Sequence, residues 1–171
     1  MGAYRIVPEE SLAWIEARSS LHPIKSENRG LEGSVELEIL AGPRVDLAAP
    51  VGGQVELPLE RLSSGNPLYD REMRRRVDAR RYPTITGQLT GMKETGRDDR
   101  YLVQGEVTLR GTTRHYEDEM TLTGLREGVI CLEGEHEFDV RDFGMEPPKI
   151  MMLKVYPEVR VRVRVVAQRE A

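Results

Sequence analysis

Three histidines (His22, His115 and His136), one cysteine and their acidic neighbours are the residues most suited to catalysis or metal binding. His136 stands in an acidic run, residues 133–137, and it could meet His115 if the two lie on neighbouring strands. A zinc site needs two or three such ligands to converge, so a hydrogen-bonded polar group inside the protein is the favoured interpretation of His136. Cys131 has no obvious His–Asp partner and is interpreted as structural. The sequence contains no Gly-x-Ser-x-Gly motif, which disfavours a serine hydrolase.

Six arginines cluster within residues 71–81, where only two acidic residues oppose them. A solvated helix face is the simplest interpretation of this cluster. The alternative is an anionic head group, or a transient contact with an anionic membrane surface through Arg71, Arg74 and Arg75. Nucleic acid is disfavoured as a partner because the formal net charge of the chain is −4.

Length and composition limit the class of protein. The chain has 171 residues, which suits one domain over residues 1–171 with a sizeable core. Sixteen glycines and ten prolines indicate many turns, and a lone cysteine excludes an internal disulfide. No apolar run approaches the ~20 residues of a membrane helix. The first residues lack the basic and apolar regions of a secretory signal, so the sequence predicts a cytoplasmic protein.

Alternation of apolar and polar residues is the strongest structural signal, and it predicts strands with one buried face. It is clearest near the C-terminus, where four valines from Val159 to Val165 alternate with three arginines. Similar patterns predict strands near residues 4–7, 11–18, 35–39, 55–59, 84–92, 103–111, 115–124 and 130–140. The spacing of roughly 10–15 residues fits antiparallel hairpins and leaves no room for the crossover helices of a parallel sheet.

One helix is predicted after residue 66. Asn66 is a good N-cap, and Pro67 suits the first helical turn. The helix should end before Tyr82, because a residue that precedes proline avoids the helical region. The predicted fold is therefore all-β with one short helix: an antiparallel up-and-down eight-stranded β-barrel. The lumen of such a barrel is either filled by side chains or able to hold one small ligand.

Strand parity gives this barrel an apolar inner face. A packed lumen is the simplest interpretation, but Gly87, Gly105 and Gly134 fall at inward positions and aromatic residues are few. These two observations favour a hollow lumen. Its branched aliphatic wall would suit a long apolar chain, since each buried CH₂ group contributes about 0.8 kcal/mol. The methionine-containing stretch 143–153 is either a flap over the barrel mouth or a loop packed on the barrel end.

Leu12 and Trp14 project outward from the predicted second strand if Ala13, Ile15 and Ala17 line the lumen. An exposed pair of this kind would suggest a homodimer interface. The opposite parity, with Trp14 in the core, is nearly as well supported by the sequence.

Four groups of residues, in order along the chain, resemble motifs of the YceI-like family. They are Tyr4-Arg5-Ile6 with Ser11, then Leu62-Ser63-Ser64-Gly65 with Asp70-Arg71-Glu72-Met73 and Tyr82-Pro83-Thr84-Ile85, then Gly105 to Arg114 (GEVTLRGTTR), and finally Asp142-Phe143-Gly144. The third group is similar to the family's G-x-L-T-I-R-G-x-T-R stretch. The resemblance spans about residues 4–167 and implies a lipocalin-like barrel that binds a polyisoprenoid or another long-chain lipid.

The leading hypothesis is non-enzymatic binding, sequestration or transport of a polyisoprenoid or fatty-acyl chain in the lumen, with no metal and no cofactor. One alternative is an enzyme that acts on an apolar small molecule through His136 and a neighbouring carboxylate. The other is a packed barrel that serves as a stress-response or interaction module. The expected ligand-binding residues are Leu37, Leu57, Ile85, Gly87, Leu89, Val107, Leu109, Met120, Leu122, His136, Phe138, Phe143, Met145, Met151 and Met152.

Overall fold

A computed structural model describes residues 2–42, 44–150 and 152–171. Its strands and its α-helix are β1 Ala3–Ile6, β2 Leu12–Ser19, β3 Ile24–Arg29, β4 Glu32–Glu36, β5 Ile39–Leu40, β6 Arg44–Val45, β7 Gly52–Pro58, β8 Leu62–Ser63, α1 Pro67–Val77, β9 Thr84–Glu94, β10 Arg100–Leu109, β11 Thr112–Arg126, β12 Val129–Asp139, β13 Lys149–Ile150 and β14 Leu153–Arg169. Short 3₁₀ turns occur at Pro8–Glu10, Leu59–Arg61 and Val140–Phe143. Among these described residues, no helix has the length and apolar character that a membrane span requires.

Eight antiparallel strands close into a barrel, as predicted. Their order around the ring is β1-β4-β7-β9-β10-β11-β12-β14. The ring closes where β14 returns to β1, with Tyr4 opposite Arg169 and Ile6 opposite Ala167. Strands β2, β3 and β8 continue from the other part of β14, and β5 and β6 form a separate hairpin. The long β14 therefore belongs both to the barrel and to the extra strands outside it.

The alternation in β14 has the structural meaning that the sequence predicts. Val159, Val161, Val163 and Val165 line the barrel, and they lie opposite inward positions of β12. The arginines between them face outward: Arg164 Nη1 lies 2.7 Å from Glu133 Oε1 and Arg160 Nε lies 3.2 Å from Glu135 Oε1. These pairs are exposed, so each contributes little stability; their main role is to keep the outer face polar.

Strand β2 has the parity in which Trp14 faces outward. Ala13 is buried, and Ile15 and Ala17 line the barrel interior. The guanidinium of Arg162 lies over the Trp14 ring, 4.1 Å from its centroid, so this side chain is partly covered within the monomer. A homodimer through this face remains a prediction.

Helix α1 begins and ends where its sequence predicts. The Asn66 side-chain oxygen accepts hydrogen bonds from the backbone N–H groups of Leu68 (3.0 Å) and Tyr69 (3.4 Å). After Val77 the chain turns at Asp78, which has a left-handed backbone with φ of 54°. The helix lies at one end of the barrel, where it contacts β13.

The two ends of the barrel are built differently. At the closed end, β9 turns into β10 and β11 turns into β12, and the β5–β6 hairpin packs there. The main hydrophobic cluster extends along the barrel, and at this end it contains the buried residues Tyr4, Leu37, Tyr101 and Leu122. The backbone N–H of Val45 donates to Tyr101 Oη at 3.0 Å. At the open end, β10 turns into β11, and the barrel is covered by α1 and residues 140–150.

Candidate ligand-binding cavity

A cavity of about 440 Å³ lies inside the barrel and extends beneath α1. This volume falls in the usual range for small-molecule sites, about 300–1,000 Å³. Met73 and Val77 of α1 form part of its roof, and Pro148 and Ile150 lie beside them. Eleven of the predicted ligand-binding residues line it: Leu57, Ile85, Gly87, Leu89, Val107, Leu109, Met120, His136, Phe138, Phe143 and Met145.

Two of the predicted lining residues lie elsewhere. Leu37 and Leu122 have inward parity, but both are packed in the closed-end core and do not line the cavity. Parity tells which face a residue occupies and not how far along the barrel it lies. Because Tyr4, Tyr101 and the β5–β6 hairpin fill that end, the two leucines contact protein and not the empty space.

The predicted flap consists of two parts with different surroundings. Phe143, Met145 and Ile150 are buried and line the cavity, so this part packs on the barrel end as a cover. Met152 does not line the cavity; it is 99% exposed in the turn before β14. Met151, also predicted as a ligand contact, lies outside the described residues.

The inward glycines do more than leave space. An added Cβ at Gly105 would lie 2.8 Å from the carbonyl oxygen of Gln88, so this glycine allows a close approach of two strands at a β-bulge. At Gly134 a Cβ would lie 2.8 Å from Met120 Cγ, so a neighbouring side chain already fills that volume. Gly105 and Gly134 therefore do not simply add empty volume to the lumen.

A polar pair stands in the otherwise apolar wall near the open end. Asp118 Oδ2 lies 2.6 Å from His136 Nδ1, and both residues line the cavity. An ionised carboxylate can only accept, so Nδ1 is the donor in this bond. The Tyr116 ring lies 5.0 Å from the ring of His136 and 4.8 Å from that of Phe138, in edge-on geometry. Burial raises the pKa of the Tyr116 phenol, and its buried hydroxyl has no hydrogen-bond partner among the described residues.

The Asp118–His136 pair sits where the barrel wall is interrupted. Strands β11 and β12 pair from Met120 opposite Gly134 to the closed end, but not above that point. The 3₁₀ turn after β12 fills the upper part of this gap, since Arg114 Nε donates to the carbonyl oxygen of Asp142 at 2.7 Å. Asp118 lines the cavity, and yet its side chain is 47% exposed. The cavity therefore reaches solvent through a lateral window between β11 and β12.

Asp118 and Tyr116 were missing from the predicted site. The signal that could have found them is parity, because both share the inward face of β11 with Met120 and Leu122. The predicted site contains apolar residues, glycine and one polar side chain, His136, and it omits Asp118 and Tyr116 because polar residues of β11 are not expected in an apolar wall.

The remaining reactive side chains lie away from the cavity. His115 is exposed on the outer face, with Nδ1 3.4 Å from Glu106 Oε1, so it does not converge with His136. No cluster of three metal-binding side chains occurs in the part of the chain that the structure describes. Cys131 is buried in a small cluster with Val129 and Val166, and burial raises the pKa of its thiol to about 11.

Three of the six arginines of the predicted cluster form hydrogen bonds or ion pairs within the described residues. Arg74 donates to the carbonyl oxygen of Leu62 at 3.1 Å. Arg75 and Arg76 both pair with Glu72, at 2.8 Å and 3.1 Å. Arg71 is exposed and forms no ion pair with any described residue. Of the three arginines predicted to contact a membrane, Arg71 alone is thus unengaged within the described ranges.

Comparison with known proteins identifies the class of this barrel. Residues 4–167 match the model of the YceI-like domain. The chain therefore belongs to the YceI-like domain family, as its motifs and strand order predict. Comparison with curated proteins finds no match.

Solved structures share the same fold at low sequence identity. BcnA of Burkholderia cenocepacia is 17% identical, with a TM-score of 0.80 over 95% of this chain and 99% of that one. A polyisoprenoid binding domain from Saccharophagus degradans, described as implicated in plant cell wall breakdown, is 12% identical, with a TM-score of 0.76 over 99% and 100% of the two chains. A YceI protein of Campylobacter jejuni is 13% identical, with a TM-score of 0.67 over 86% and 85%.

Proposed function

We propose that this protein is a non-enzymatic carrier that holds one long apolar chain, of polyisoprenoid or fatty-acyl type, in the barrel cavity. The observation that supports this proposal best is the cavity itself, about 440 Å³ enclosed mainly by aliphatic side chains. The polyisoprenoid binding domain from Saccharophagus degradans shares the fold, and this agrees with the proposal.

Apolar burial is sufficient to drive such binding. About ten buried CH₂ groups gain about 8 kcal/mol, which the loss of translational and rotational freedom offsets in part. Valines of β14 and the leucines Leu57, Leu89 and Leu109 make no demand for hydrogen bonds from the ligand. The wall therefore selects for chain length and apolarity rather than for a particular pattern of polar groups.

The Asp118–His136 pair is the proposed anchor for the ligand's polar end. Asp118 holds Nδ1 of the imidazole, which leaves the other ring nitrogen to exchange a hydrogen bond with a ligand oxygen. The carboxylate disfavours a second negative charge nearby. An uncharged head group, such as a hydroxyl or a carbonyl, fits this window better than a carboxylate or phosphate.

Organic extraction of the purified protein, followed by mass spectrometry, tests the proposal. We expect one long-chain species in roughly one-to-one ratio with protein, as a single enclosed cavity requires. If no chain is recovered and added prenols or fatty acids do not bind, the carrier proposal is wrong.

A pair of glycine variants on β9 locates the ligand. Gly87 lines the cavity, where its added Cβ would lie 3.0 Å from Val55 Cγ1. Gly91 does not line it, and its added Cβ would meet the flexible end of the Gln104 side chain. We expect Gly87→Phe to lower chain affinity at least about tenfold by filling the lumen, and Gly91→Phe to leave it unchanged. Equal affinities in the two variants would mean that the chain lies elsewhere.

The same histidine supports a second candidate, an enzyme that acts on an apolar molecule in the lumen. The 2.6 Å contact between Asp118 and His136 is the arrangement that orients an imidazole as a general base. This candidate predicts that the extracted ligand is chemically altered during incubation with wild-type protein and not with His136→Asn. The carrier proposal predicts an unaltered ligand with both proteins.

A further inference from the structure

The open end carries exposed apolar side chains that the cavity does not use. Leu21, in the turn between β2 and β3, is 80% exposed, and Met152, before β14, is 99% exposed. The two turns are joined, since the backbone N–H of Ser20 donates to the carbonyl oxygen of Lys154 at 2.8 Å and that of Lys154 donates to Ser20 Oγ at 3.1 Å. Leu21 and Met152 therefore lie on adjoining turns at one edge of the open end.

Helix α1 adjoins the same edge. The ring of His22, next to Leu21, lies 6.4 Å from the ring of Tyr69 in a stacked arrangement. Tyr69 also packs on the cluster of Ile150, Leu153 and Val155 that supports the turn of Met152. The two apolar turns and the start of α1 thus form one continuous surface, which we call the apolar edge.

Positive charge is concentrated around the apolar edge. Residues 18–25, 67–81, 109–114, 139–150 and 152–158 meet at the open end, and together they contain 13 Lys and Arg against 7 Asp and Glu. The whole chain has 25 against 29. The open end is therefore strongly basic in a protein that is acidic as a whole.

Several of these cations are available to an external partner. Arg18, Lys25, Lys149 and Lys154 are exposed, and none forms an ion pair with another described residue. Lys154 lies over the ring of Tyr156, 5.5 Å from its centroid. Asp142 and Glu146 are the acidic residues within positions 140–156 of the sequence. Glu146 is paired with Arg76 at 3.4 Å, and not with one of these four cations.

We propose that the open end docks on the surface of an anionic lipid bilayer, with Leu21 and Met152 inserted among the head groups. Lys and Arg near such a surface each contribute about a fivefold gain in partition, and exposed apolar side chains beside a basic face are the usual means of interfacial insertion. The acidic remainder of the chain is repelled, so the charge distribution selects one orientation. In that orientation the roof of the cavity, α1 and residues 140–150, faces the bilayer. Docking itself does not depend on what occupies the cavity.

Vesicle co-sedimentation tests this proposal with the full chain. We expect binding to vesicles of phosphatidylglycerol mixed with phosphatidylcholine, weakening as salt is raised because the charges are screened. Vesicles of phosphatidylcholine alone should retain little protein. Equal binding to the two compositions, or no binding to either, would overturn the proposal. Absence of binding to both would indicate that the basic end contacts a partner of another class.

Paired variants separate the two contributions and supply a control. Leu21→Ser with Met152→Ser should lower partition about tenfold through the loss of apolar insertion. Lys149→Gln with Lys154→Gln should lower it about 25-fold. The matched control is Leu40→Ser with Leu125→Ser, which changes two leucines of the closed end that are 53% and 41% exposed. If the control lowers partition as much as the open-end variants, the assigned orientation is wrong.

The outcome of the vesicle-binding experiment is independent of the carrier proposal. Extraction of the Leu21→Ser, Met152→Ser variant should recover as much luminal ligand as extraction of wild-type protein. Loss of vesicle binding with retained ligand supports docking as a separate property, whereas vesicle binding by a protein whose lumen holds no chain leaves docking intact and contradicts the carrier proposal alone.

Discussion

The closed and open ends of this barrel are made from the same strands and have different interiors. Strand β10 supplies Tyr101 to the packed closed end and Leu109 to the cavity wall. Strand β11 supplies Leu122 to the first and Tyr116 to the second. The strands alternate regularly at both ends, so alternation does not explain the difference.

Two features of the tertiary structure account for it. At the closed end the β5–β6 hairpin covers the barrel and gives Tyr101 a hydrogen-bond partner. At the open end β11 and β12 separate beyond Met120, and a helix and a turn cover the space without filling it. Packed interiors stabilise proteins, whereas binding sites need empty volume and polar groups that lack internal partners. The closed end provides the packed interior, and the open end provides the empty volume and polar groups of a binding site.

The largest expected effect that tests the difference between the two ends is on the free energy of unfolding. Leu122→Ala, at the closed end, should lower the free energy of unfolding by about 3 kcal/mol, because it creates a new cavity in a packed core. Leu89→Ala, in the cavity wall, should lower it by about 1 kcal/mol, since less contact is lost where space is already empty. Urea denaturation of both variants measures the difference. Equal losses would show that the two ends are equally packed.

A second test of the difference between the two ends compares a tyrosine hydroxyl at the closed end with one at the cavity. Tyr101→Phe removes the acceptor of the Val45 N–H and should cost about 1.5 kcal/mol. Tyr116→Phe removes a hydroxyl that has no partner among the described residues, and its effect on unfolding should be close to zero. The urea midpoints of the two variants give the answer. A larger loss for Tyr116→Phe would mean that its hydroxyl has a structural role in the free protein.

The roof of the cavity should respond to loss of its helix cap. Asn66→Ala removes the acceptor for two backbone N–H groups of α1 and should cost about 1 kcal/mol. Amide hydrogen exchange should become faster in α1 and remain unchanged in β11 near Leu122. Uniform acceleration in both regions would indicate that the two ends unfold as one unit.

The smallest effect concerns the titration of Cys131 beside the closed end. Burial raises its pKa to about 11, whereas the unfolded thiol titrates near about 8.5. The unfolded state therefore loses its proton first, so stability is complete below about pH 8.5 and falls as pH rises toward 11. The loss is about 0.8 kcal/mol at pH 9. Free energies of unfolding from urea titrations at pH 8 and pH 9 should differ by about 0.7 kcal/mol more in wild-type protein than in Cys131→Ala, because a small part of the loss has already occurred at pH 8. Identical pH dependence in the two proteins would contradict the raised pKa.

Much of the fold could be predicted from the residues because the determining interactions are local. The valines of β14 must share one face whatever they pack against. Asn66 and Pro67 set the start of α1 through local backbone geometry. Tyr82-Pro83 predicts only that the helix ends before residue 82; it ends earlier, at Val77, where Asp78 adopts a left-handed backbone.

The sequence did not indicate the two-residue strands β6, β8 and β13, and among the longer strands it did not indicate β3. Strand β3 has Ser26 and Asn28 at inward positions. Strand β3 lacks apolar alternation because its inward positions are polar. Asn28 is accommodated in the interior because its side-chain nitrogen donates a hydrogen bond of 2.6 Å to the Pro58 carbonyl oxygen.

The sequence by itself determined which side chains face inward on the strands that alternate clearly, and it indicated the family to which the chain belongs. The parity of β2 and the existence of β3 were left to the tertiary structure. Tertiary structure alone decided which of those side chains surround empty space. Leu37 and Leu122 have the same inward parity as Leu57 and Leu89, and their position along the barrel, under the β5–β6 hairpin or beside the open end, separates packed residues from cavity-lining ones. The contact between Asp118 and His136 likewise depends on where β11 and β12 part. Periodicity reports direction across a strand, while depth along a barrel depends on contacts between residues far apart in sequence.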